Sequence, residues 1–410
     1  MDSLGFQSFH RVLCLPVLVL LLSLVCTACT EVAGDTVREP TGIPLAEIKL
    51  LTYNTLHGLE PSGLTVKASE STEARQARLD LQFRQLSIIK PDVMLLQEVN
   101  PLPEMAERYV SAMKSAGLQY QAVHQVDACG VRLVPGLAVV PGLNNGLAVL
   151  AKSPLVLRKV EGLKLSGGFG RCDDYMGFQM GELRYALIAE VENPNTGRRL
   201  LTVSLHLHSG IERNAFFIHK IDEAVKEGRA RREDFENLVA AMEQDQERRL
   251  DEIRLLVKEI QKLYATGKYL AVLVGGDFNF EPDDPEYREL ERAGLKDTYV
   301  MASPETEVYS LDPQQNVIAG HGIQEVPSTL RAAMARLPES QQQKILEGYQ
   351  KGISEARRVD FMFLMRKPSD SPTGCFRQEL FGQSEAVSAA PGSDHYGVLV
   401  TYIADGSQCG

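Results

Sequence analysis

The chain contains no tryptophan among its 410 residues, and aromatic residues make up only 7% of it. Beyond its N-terminal 29 residues it also lacks any Cys-x-x-Cys pair, so the remaining four cysteines do not have the spacing of zinc ligands. Positive charge is scarce, because 43 Lys and Arg stand against 54 Asp and Glu, for a net charge of −11. This balance disfavours a wide polyanion-binding surface, since phosphate contacts need clustered Lys and Arg.

The N-terminal apolar run, Val12–Val25, is shorter than the ~20 residues that a membrane-spanning helix needs. His10-Arg11 precede this run and the small residues Thr27-Ala28 follow it, which is the pattern of a secretory signal peptide. We therefore expect residues 1–28 to be removed and the mature protein to be exported, either anchored in the cell envelope or secreted.

The segment after the signal peptide has two interpretations. Residues 25–29, Val-Cys-Thr-Ala-Cys, resemble a bacterial lipobox in which Cys29 carries lipid. In the other interpretation the chain is cleaved after Ala28 and released. Residues 29–45 are polar and contain prolines and glycines, so we expect them to form a tether.

Seven cysteines are present, and two of them lie in the signal peptide. With Cys29 set aside for lipid, an even number remains, which predicts two disulfides in an exported chain. Nearness in sequence favours the pairs Cys129–Cys172 and Cys375–Cys409.

The composition of the chain, 44% hydrophobic and 24% charged, is that of a soluble globular protein. Short apolar runs alternate with helical periodicity, which indicates an α/β domain over residues 46–405. Two segments, near 209–232 and 320–357, have the character of insertions that build a substrate rim. The predicted strands are Ile48–Asn54, Asp92–Glu98, Asn145–Ala151, Arg184–Val191, Arg199–His206, Tyr269–Val274, Val359–Met365 and Gly397–Ile403. The predicted helices are Ala74–Ile89, Met105–Ala116 and Asp234–Ala265, the last with a charged face that we expect to be solvated.

The stretch YLAVLVGGDFNF, Tyr269–Phe280, carries the strongest local signal. Its apolar first half predicts a buried strand, and Gly275-Gly276 predict a sharp turn after it. Asp277 and Asn279 then stand at the carboxyl end of the strand, the edge where open α/β sheets bind ligands. An Asx turn that caps the strand explains the same two residues equally well on this segment alone.

Similar polar residues recur at the ends of other predicted strands. They are Asn54, Glu98, His206, Asp360 just inside its strand, and Asp394-His395 before the last strand. Carboxylate and carboxamide oxygens without a thiolate suit a hard cation, Mg²⁺ or Mn²⁺. Two histidines beside the cation supply an acid and a base near neutral pH. Together these groups predict metal-assisted hydrolysis of a phosphoester.

Short motifs along the chain carry a family resemblance. They are LLTYN (Leu50–Asn54), LLQE (Leu95–Glu98), SLHL (Ser204–Leu207), GGDFN (Gly275–Asn279), RVDFMF (Arg358–Phe363) and SDH (Ser393–His395). Their order resembles that of the endonuclease/exonuclease/phosphatase superfamily, which includes deoxyribonucleases, apurinic endonucleases, inositol-polyphosphate phosphatases and neutral sphingomyelinases. The resemblance covers about residues 47–403 and implies a four-layer α/β sandwich, with two mixed β-sheets packed face to face and helices outside. The strand–helix alternation by itself leaves a doubly wound sheet equally open.

The resemblance also implies roles at the matching positions. Glu98 is similar to the principal metal ligand of the family, with Asn54 and Asp394 beside the ion. Asp277 and Asn279 resemble the pair that orients the attacking water and holds the scissile phosphate.

The histidines resemble the acid and the base of the family. His395 is similar to the base that activates water, held by Asp360. His206 resembles the second histidine, which contacts the phosphate and protonates the leaving oxygen. His208 shares a strand face with His206, so it either assists His206 or is an ordinary polar strand residue, and we favour the second interpretation.

The substrate is predicted less directly. Residues Tyr309–Asn316 resemble the TWDP…N segment of neutral sphingomyelinases, which implies that Asn316 binds substrate together with Asn54 and Asn279. Residues 145–154 resemble a second segment of those enzymes, but Met180 stands where they carry a lysine. Export and the negative charge favour a phospholipid or small phosphodiester over nucleic acid as the substrate. We expect the protein to be a monomer. The alternatives are a secreted nuclease and a non-catalytic surface-binding protein on the same fold.

Overall fold

A computed structural model describes residues 47–62, 65–129, 132–134, 137–138, 144–169, 180–211, 215–228, 231–303, 307–321, 328–366, 374–383 and 391–404. The chain divides into two units, residues 1–41 and 42–410, and every described residue belongs to the second. The predicted signal peptide and tether lie outside the described residues. Within the described ranges, no helix is both long and apolar enough to span a membrane.

Strands and helices alternate along the chain. The strands are β1 (Glu47–Asn54), β2 (Leu59–Ser62), β3 (Thr65–Ala68), β4 (Val93–Gln97), β5 (Tyr120–Cys129), β6 (Arg132–Val134), β7 (Leu137–Ala138), β8 (Asn144–Lys152), β9 (Val156–Phe169), β10 (Met180–Glu192), β11 (Arg199–His206), β12 (Ala271–Asp277), β13 (Lys296–Asp297), β14 (Asp360–Arg366), β15 (Cys375–Phe381) and β16 (Gly397–Ile403). The helices are α1 (Thr72–Ile89), α2 (Glu104–Ser115), α3 (Ala215–Lys226), α4 (Arg232–Tyr264), α5 (Pro285–Arg292), α6 (Thr298–Ala302), α7 (Val317–His321), α8 (Ser328–Met334) and α9 (Glu339–Ile353).

Two six-stranded sheets form the centre of the fold. The first has the strand order β15-β16-β1-β4-β8-β5, and the second has the order β13-β14-β12-β11-β10-β9. The central pair of each sheet, β1 with β4 and β12 with β11, is parallel, whereas the outer neighbours pair antiparallel. Both sheets are therefore mixed, as the family resemblance implies.

The two sheets pack against each other through one apolar core, to which Leu51 and Leu187 contribute from opposite sides. Gly275 permits this close approach. A Cβ at Gly275 would lie 2.7 Å from Cδ1 of Leu95 and 3.0 Å from Cβ of Thr52, both in the first sheet. Any side chain here would have to push the sheets apart.

The predicted sharp turn at Gly275-Gly276 is wrong. Both glycines lie inside β12 and keep their register with Ser204 and Leu205 on one side and with β14 on the other. The glycine pair is explained by the tight packing around it and not by a reversal of the chain.

Helices cover the outer faces of both sheets. Leu86 of α1 and Tyr109 of α2 join the core of the first sheet, and Ile253 of α4 and Leu290 of α5 pack on the second. The described chain is therefore a four-layer α/β sandwich, and the doubly wound alternative is excluded.

The two predicted insertions form a helical cluster of their own. Ile221 of α3, Leu330 of α8 and Ile345 of α9 pack with Leu238 in the first half of α4. Ile211, which follows β11 by a few residues, belongs to the same cluster. The insertions are thus joined to the strand end that carries His206.

Candidate active site

Three neighbouring strands of the second sheet place polar side chains side by side. The strand register pairs His206 of β11 with Asp277 of β12, and Asp277 with Asp360 of β14. All three residues are buried, and Nε2 of His206 lies 3.5 Å from Oδ2 of Asp277. One edge of this sheet therefore presents a histidine and two carboxylates in a row.

The first sheet brings its own polar groups to the same edge. Asn54 ends β1 and pairs with Gln97, the last residue of β4. Glu98 follows in the left-handed conformation, with φ of 55°, which turns the chain immediately after the strand. Asp394-His395 precede β16, which runs antiparallel to β1 and therefore starts at this edge.

Asn54 connects the two sheets. Its Nδ2 donates to Oε1 of Glu98 and to Oδ2 of Asp277, each at 3.0 Å, while its Oδ1 accepts from the backbone N–H of Leu56 at 3.2 Å. Two of the predicted ligands, Asn54 and Glu98, are thus in contact, and Asn54 orients the carboxylates of Glu98 and Asp277.

His395 and Asp360 form the shortest polar contact across the site, with Nδ1 of His395 2.7 Å from Oδ2 of Asp360. The other ring nitrogen, Nε2, lies 3.8 Å from Oδ2 of Asp277. Burial alone would lower the pKa of His395, but Asp360, Asp277 and Asp394 together raise this pKa well above its usual value.

Asp277 is held in an unusual electrostatic environment. Burial and the neighbouring Asp360 raise the pKa of Asp277 to about 7, against the opposing effects of His395 and Asn54. Oδ1 of Asp277 accepts from the backbone N–H of Asn279 at 3.0 Å, which is the Asx turn considered from the sequence. The turn and the site therefore coexist, because this turn helps to fix Asn279.

Asn279 is fixed by backbone contacts as well. It adopts φ of 52°, and its Nδ2 donates to the carbonyl oxygen of Leu207 at 3.1 Å. Leu207 follows His206 directly. The positions of Asn279 and His206 are therefore coupled through one backbone carbonyl.

Glu98 and Asp394 provide a carboxylate pair with opposite electrostatic tendencies. Burial would raise the pKa of Glu98, but His57, His206 and the Asn54 side chain lower this pKa well below its usual value. Burial raises the pKa of Asp394, and Glu98 raises it further against the effect of His395. Two half-buried carboxylates that repel each other are suited to a hard divalent cation, which would offset their charge.

A second group of residues also has the spacing of a cation site. Asp277, Asp360 and His395 each offer one atom, and these atoms lie within 4.8 Å of one another. Oδ2 of Asp360 already pairs with His395, whereas its Oδ1 is buried without a hydrogen-bond partner. Carboxylate oxygens therefore line the site from Glu98 across to Asp360.

The contacts of Asn316 differ from those of a substrate-binding residue. Its side chain is buried, and its Nδ2 donates to the carbonyl oxygens of Ser393 at 2.9 Å and Asp394 at 3.0 Å. Its Oδ1 accepts from the backbone N–H groups of Ile318 and Ala319. These bonds occupy the amide and favour a positioning role for the 393–395 segment over direct contact with substrate.

His208 is not an ordinary polar strand residue. It is buried, and its Nε2 lies 2.8 Å from Oδ1 of Asp245 in α4. Oδ2 of Asp245 also accepts from the backbone N–H of Ile211 at 2.7 Å. The chain just beyond β11 is thus bound to the long helix.

Two further charged residues of α4 bind this same segment. Oε2 of Glu252 accepts from the backbone N–H of His208 at 2.9 Å, and Nη1 of Arg249 lies 3.5 Å from the carbonyl oxygen of His208. Asp245, Arg249 and Glu252 share one helix face and are buried. The expectation that the charged face of α4 is simply solvated is therefore wrong for this stretch.

Sequence reasoning missed His57, which lies in the loop after β1. Its backbone N–H donates to Oε2 of Glu98 at 2.9 Å, and its ring Nε2 lies 3.6 Å from the same oxygen. Its place only three residues after Asn54 was the available signal, but a loop histidine is unremarkable without the contact to Glu98.

Comparison with known proteins agrees with the fold and the motifs. The family model described as "Endonuclease/Exonuclease/phosphatase family" matches residues 51–395. A search of curated protein sequences finds no match.

Solved structures share the architecture at low sequence identity. Truncated TDP2 from Caenorhabditis elegans is 15% identical, with a TM-score of 0.50, over 87% of this chain and 98% of that one. An endonuclease/exonuclease/phosphatase from Bacteroides vulgatus is 16% identical over 87% and 98% of the two chains, with a TM-score of 0.48. Since the family model matches most of the sequence, the chain belongs to the endonuclease/exonuclease/phosphatase family.

Proposed function

We propose that this protein is an exported, divalent-metal-dependent phosphodiesterase that acts on a phospholipid or another small phosphodiester. Enzymes of its family are metal-dependent hydrolases of phosphoesters. The proposal rests on one observation, that residues of both sheets are in contact at one edge. The His395–Asp360 pair lies next to Asp277, and Asn54 binds both Asp277 and Glu98.

His395 is the general base in this proposal. Asp360 accepts from Nδ1, which fixes the tautomer and leaves Nε2 to take a proton from water. Asp277, near Nε2, orients that water. Since three carboxylates raise the pKa of His395, the neutral ring that acts as the base forms at a higher pH than it does in a free histidine.

His206 and Asn279 act on the phosphate. Nε2 of His206 faces Asp277 at 3.5 Å and lies at the same sheet edge, from which it can protonate the leaving oxygen. Asn279 holds the phosphate from the next loop. Bound at Glu98 and Asp394, Mg²⁺ or Mn²⁺ would polarise a phosphoryl oxygen and offset its charge.

The charge of the surface beside Asn279 supports a small substrate. Glu281 follows Asn279 by two residues. Burial and the charges of four other acids, Asp284, Asp283, Glu355 and Glu307, raise the pKa of Glu281 to about 7. Glu281 and these four acids therefore form one acidic group next to Asn279 in the chain. Such a group repels a long polyanion but is compatible with a zwitterionic head group.

A hydrolysis screen of purified protein tests this function. With Mg²⁺ or Mn²⁺, we expect faster turnover of sphingomyelin, phosphatidylcholine or bis(4-nitrophenyl) phosphate than of plasmid DNA or inositol phosphates. His395→Ala should remove this activity, whereas His219→Ala, at an exposed histidine of α3, should not. Preferential cleavage of plasmid DNA would make the protein a nuclease instead.

Export is part of the proposal and has its own test. Cys375 is disulfide-bonded, which suits an oxidising compartment, whereas Cys172 and Cys409 lie outside the described residues. Mass spectrometry of the mature N-terminus should find Cys29 carrying lipid. An unmodified N-terminus downstream of Cys29 would exclude the anchor, and Met1 on a cytoplasmic product would exclude export.

A further inference from the structure

The loop after β1 holds His57 at three points. Its backbone N–H donates to Oε2 of Glu98 at 2.9 Å, and its carbonyl oxygen accepts from Nδ2 of Asn100 at 3.4 Å. The ring itself is held at Nδ1, which accepts from the backbone N–H of Leu59 at 2.9 Å. The orientation of the imidazole is therefore fixed before any ligand binds.

Helix α1 holds the same loop from behind. Arg78 donates from Nη1 to the carbonyl oxygen of Thr55 at 2.8 Å and from Nη2 to that of Leu56 at 3.2 Å. Leu56 adopts φ of 60°, a conformation that is unfavourable for a leucine and persists only where neighbours enforce it. At Gly58, a Cβ would lie 2.5 Å from Oε1 of Glu70, the partner of Arg78. Preorganisation of this kind is typical of functional loops.

The hydrogen bond from Leu59 determines which nitrogen of His57 carries the proton. Because Nδ1 accepts, it is unprotonated, and the neutral ring must carry its N–H at Nε2. Nε2 lies 3.6 Å from Oε2 of Glu98, which is too long for a hydrogen bond. The His57 side chain is 32% exposed. A fixed N–H donor thus faces the Glu98 carboxylate and is open to a ligand.

We propose that Nε2–H of His57 binds a non-bridging oxygen of the substrate phosphate. This inference rests on the proposed function, which places the phosphate next to Glu98. A neutral N–H donor needs an acceptor oxygen. Beside a cation-binding carboxylate, a phosphoryl oxygen of the substrate supplies that acceptor. Direct coordination of a metal by Nε2 is disfavoured, because it would move the proton to Nδ1 and break the bond from Leu59.

Two substitutions separate the nitrogens of the ring. An asparagine at position 57 keeps a polar atom near Nδ1 but has nothing at Nε2, whereas the amide of a glutamine reaches the position of Nε2 with an N–H. His57→Asn should therefore lower kcat/KM for bis(4-nitrophenyl) phosphate by about 10- to 100-fold, the usual effect of removing one donor to a charged oxygen. His57→Gln should recover most of that loss. His219→Asn, at the exposed histidine of α3, is the matched control.

Binding measurements give a readout that does not depend on turnover. On the full-length protein, titration calorimetry with Mn²⁺ alone should give the same affinity for His57→Asn as for the unmodified chain. Inorganic phosphate added to the Mn²⁺-loaded protein should bind about 10-fold or more weakly in the variant. Equal phosphate affinity in both, or a loss of Mn²⁺ affinity instead, would overturn the inference. Absence of hydrolysis by the unmodified chain would contradict the proposed function and leave this phosphate measurement as the test of His57.

Discussion

His395 and Asp360 approach each other from opposite sheets, with Nδ1 of the histidine 2.7 Å from Oδ2 of the aspartate. His395 stands just before β16 of the first sheet, and Asp360 opens β14 of the second. The pair therefore joins the two layers at the edge where the other site residues meet, and its geometry depends on the packing of the whole sandwich.

This pair should act as one catalytic unit. His395→Ala should lower kcat by about 10²–10⁴-fold, the usual effect of a positioned acid–base group. Asp360→Asn should cause a loss of the same kind, and the double variant should be little worse than His395→Ala alone. A double-mutant cycle on folded protein makes the comparison, and losses that simply multiply would show that Asp360 is only a structural acid.

Glu98 should govern the requirement for metal. Glu98→Gln keeps the shape of the side chain but removes the charge, so it should raise the Mg²⁺ concentration needed for half-maximal activity by at least about tenfold. Asp277→Asn tests the second cation group and should lower kcat more than it changes this requirement. Glu104→Gln, at an exposed glutamate of α2, is the control. An unchanged requirement in Glu98→Gln with a raised one in Asp277→Asn would place the cation at the second group.

The buried charges of α4 should influence turnover through the backbone after β11. Asp245→Asn removes a charge that accepts from both His208 and Ile211, so it should lower stability by about 1–3 kcal/mol and kcat by about tenfold. The readouts are thermal denaturation and separate values of kcat and KM.

Glu190→Gln is the matched control for this helix. Glu190 is equally buried and pairs with Arg158, Arg199 and Lys268, but it faces Leu201, five residues along β11 from His206, or about 17 Å away. Glu190→Gln should lower stability to a similar degree as Asp245→Asn while leaving kcat unchanged. Equal effects of both variants on kcat would assign the buried charges of α4 to stability alone.

Glu281 should make stability depend on pH. Burial and the neighbouring acids raise the pKa of Glu281 to about 7, so the folded state binds this proton more tightly than the unfolded state does. The resulting penalty on folding is absent below about pH 4.5, grows as the pH rises, and is complete above about pH 7. Glu281→Gln should therefore raise Tm at pH 8 and change it little at pH 4.5. A shift of the same size at both pH values would contradict this assignment.

The strands that the sequence predicts are those in the middle of the sheets. β4 and β12 are buried on both faces and appear as continuous apolar runs. Within the two six-stranded sheets, the strands that were missed are the edges, β5, β9, β13 and β15. Edge strands bury less surface and tolerate charge; β9, for example, contains Arg158, Lys159, Glu161 and Lys164. No apolar run marks them, so local reasoning does not find them.

The site was predictable where its residues end buried strands. Asn54, His206 and Asp277 follow apolar runs directly, and the edge of a sheet collects such residues. Contacts between distant segments were not predictable. Position 275 must be glycine because Leu95 and Thr52 of the other sheet leave no room for a side chain. The local sequence shows only a pair of glycines, which predicts a turn.

The role of the α4 charges has the same explanation. Helical periodicity identifies the face that Asp245, Arg249 and Glu252 share. All three also bind backbone atoms of a segment about 40 residues away, so only the folded chain shows that they are buried. Asn316 shows the converse case, because its motif indicates substrate contact while its amide is occupied by backbone atoms.

The central claim is that this cross-sheet site is a metal-dependent phosphodiesterase centre based on His395. The most direct measurement is the rate of bis(4-nitrophenyl) phosphate hydrolysis by purified protein with Mn²⁺, with EDTA, and with Mn²⁺ restored, for the unmodified chain and for His395→Ala. We predict hydrolysis that disappears with EDTA, returns with Mn²⁺, and falls by about 10²–10⁴-fold in the variant. Hydrolysis that survives EDTA, or that is equal in His395→Ala and the unmodified chain, would contradict the account.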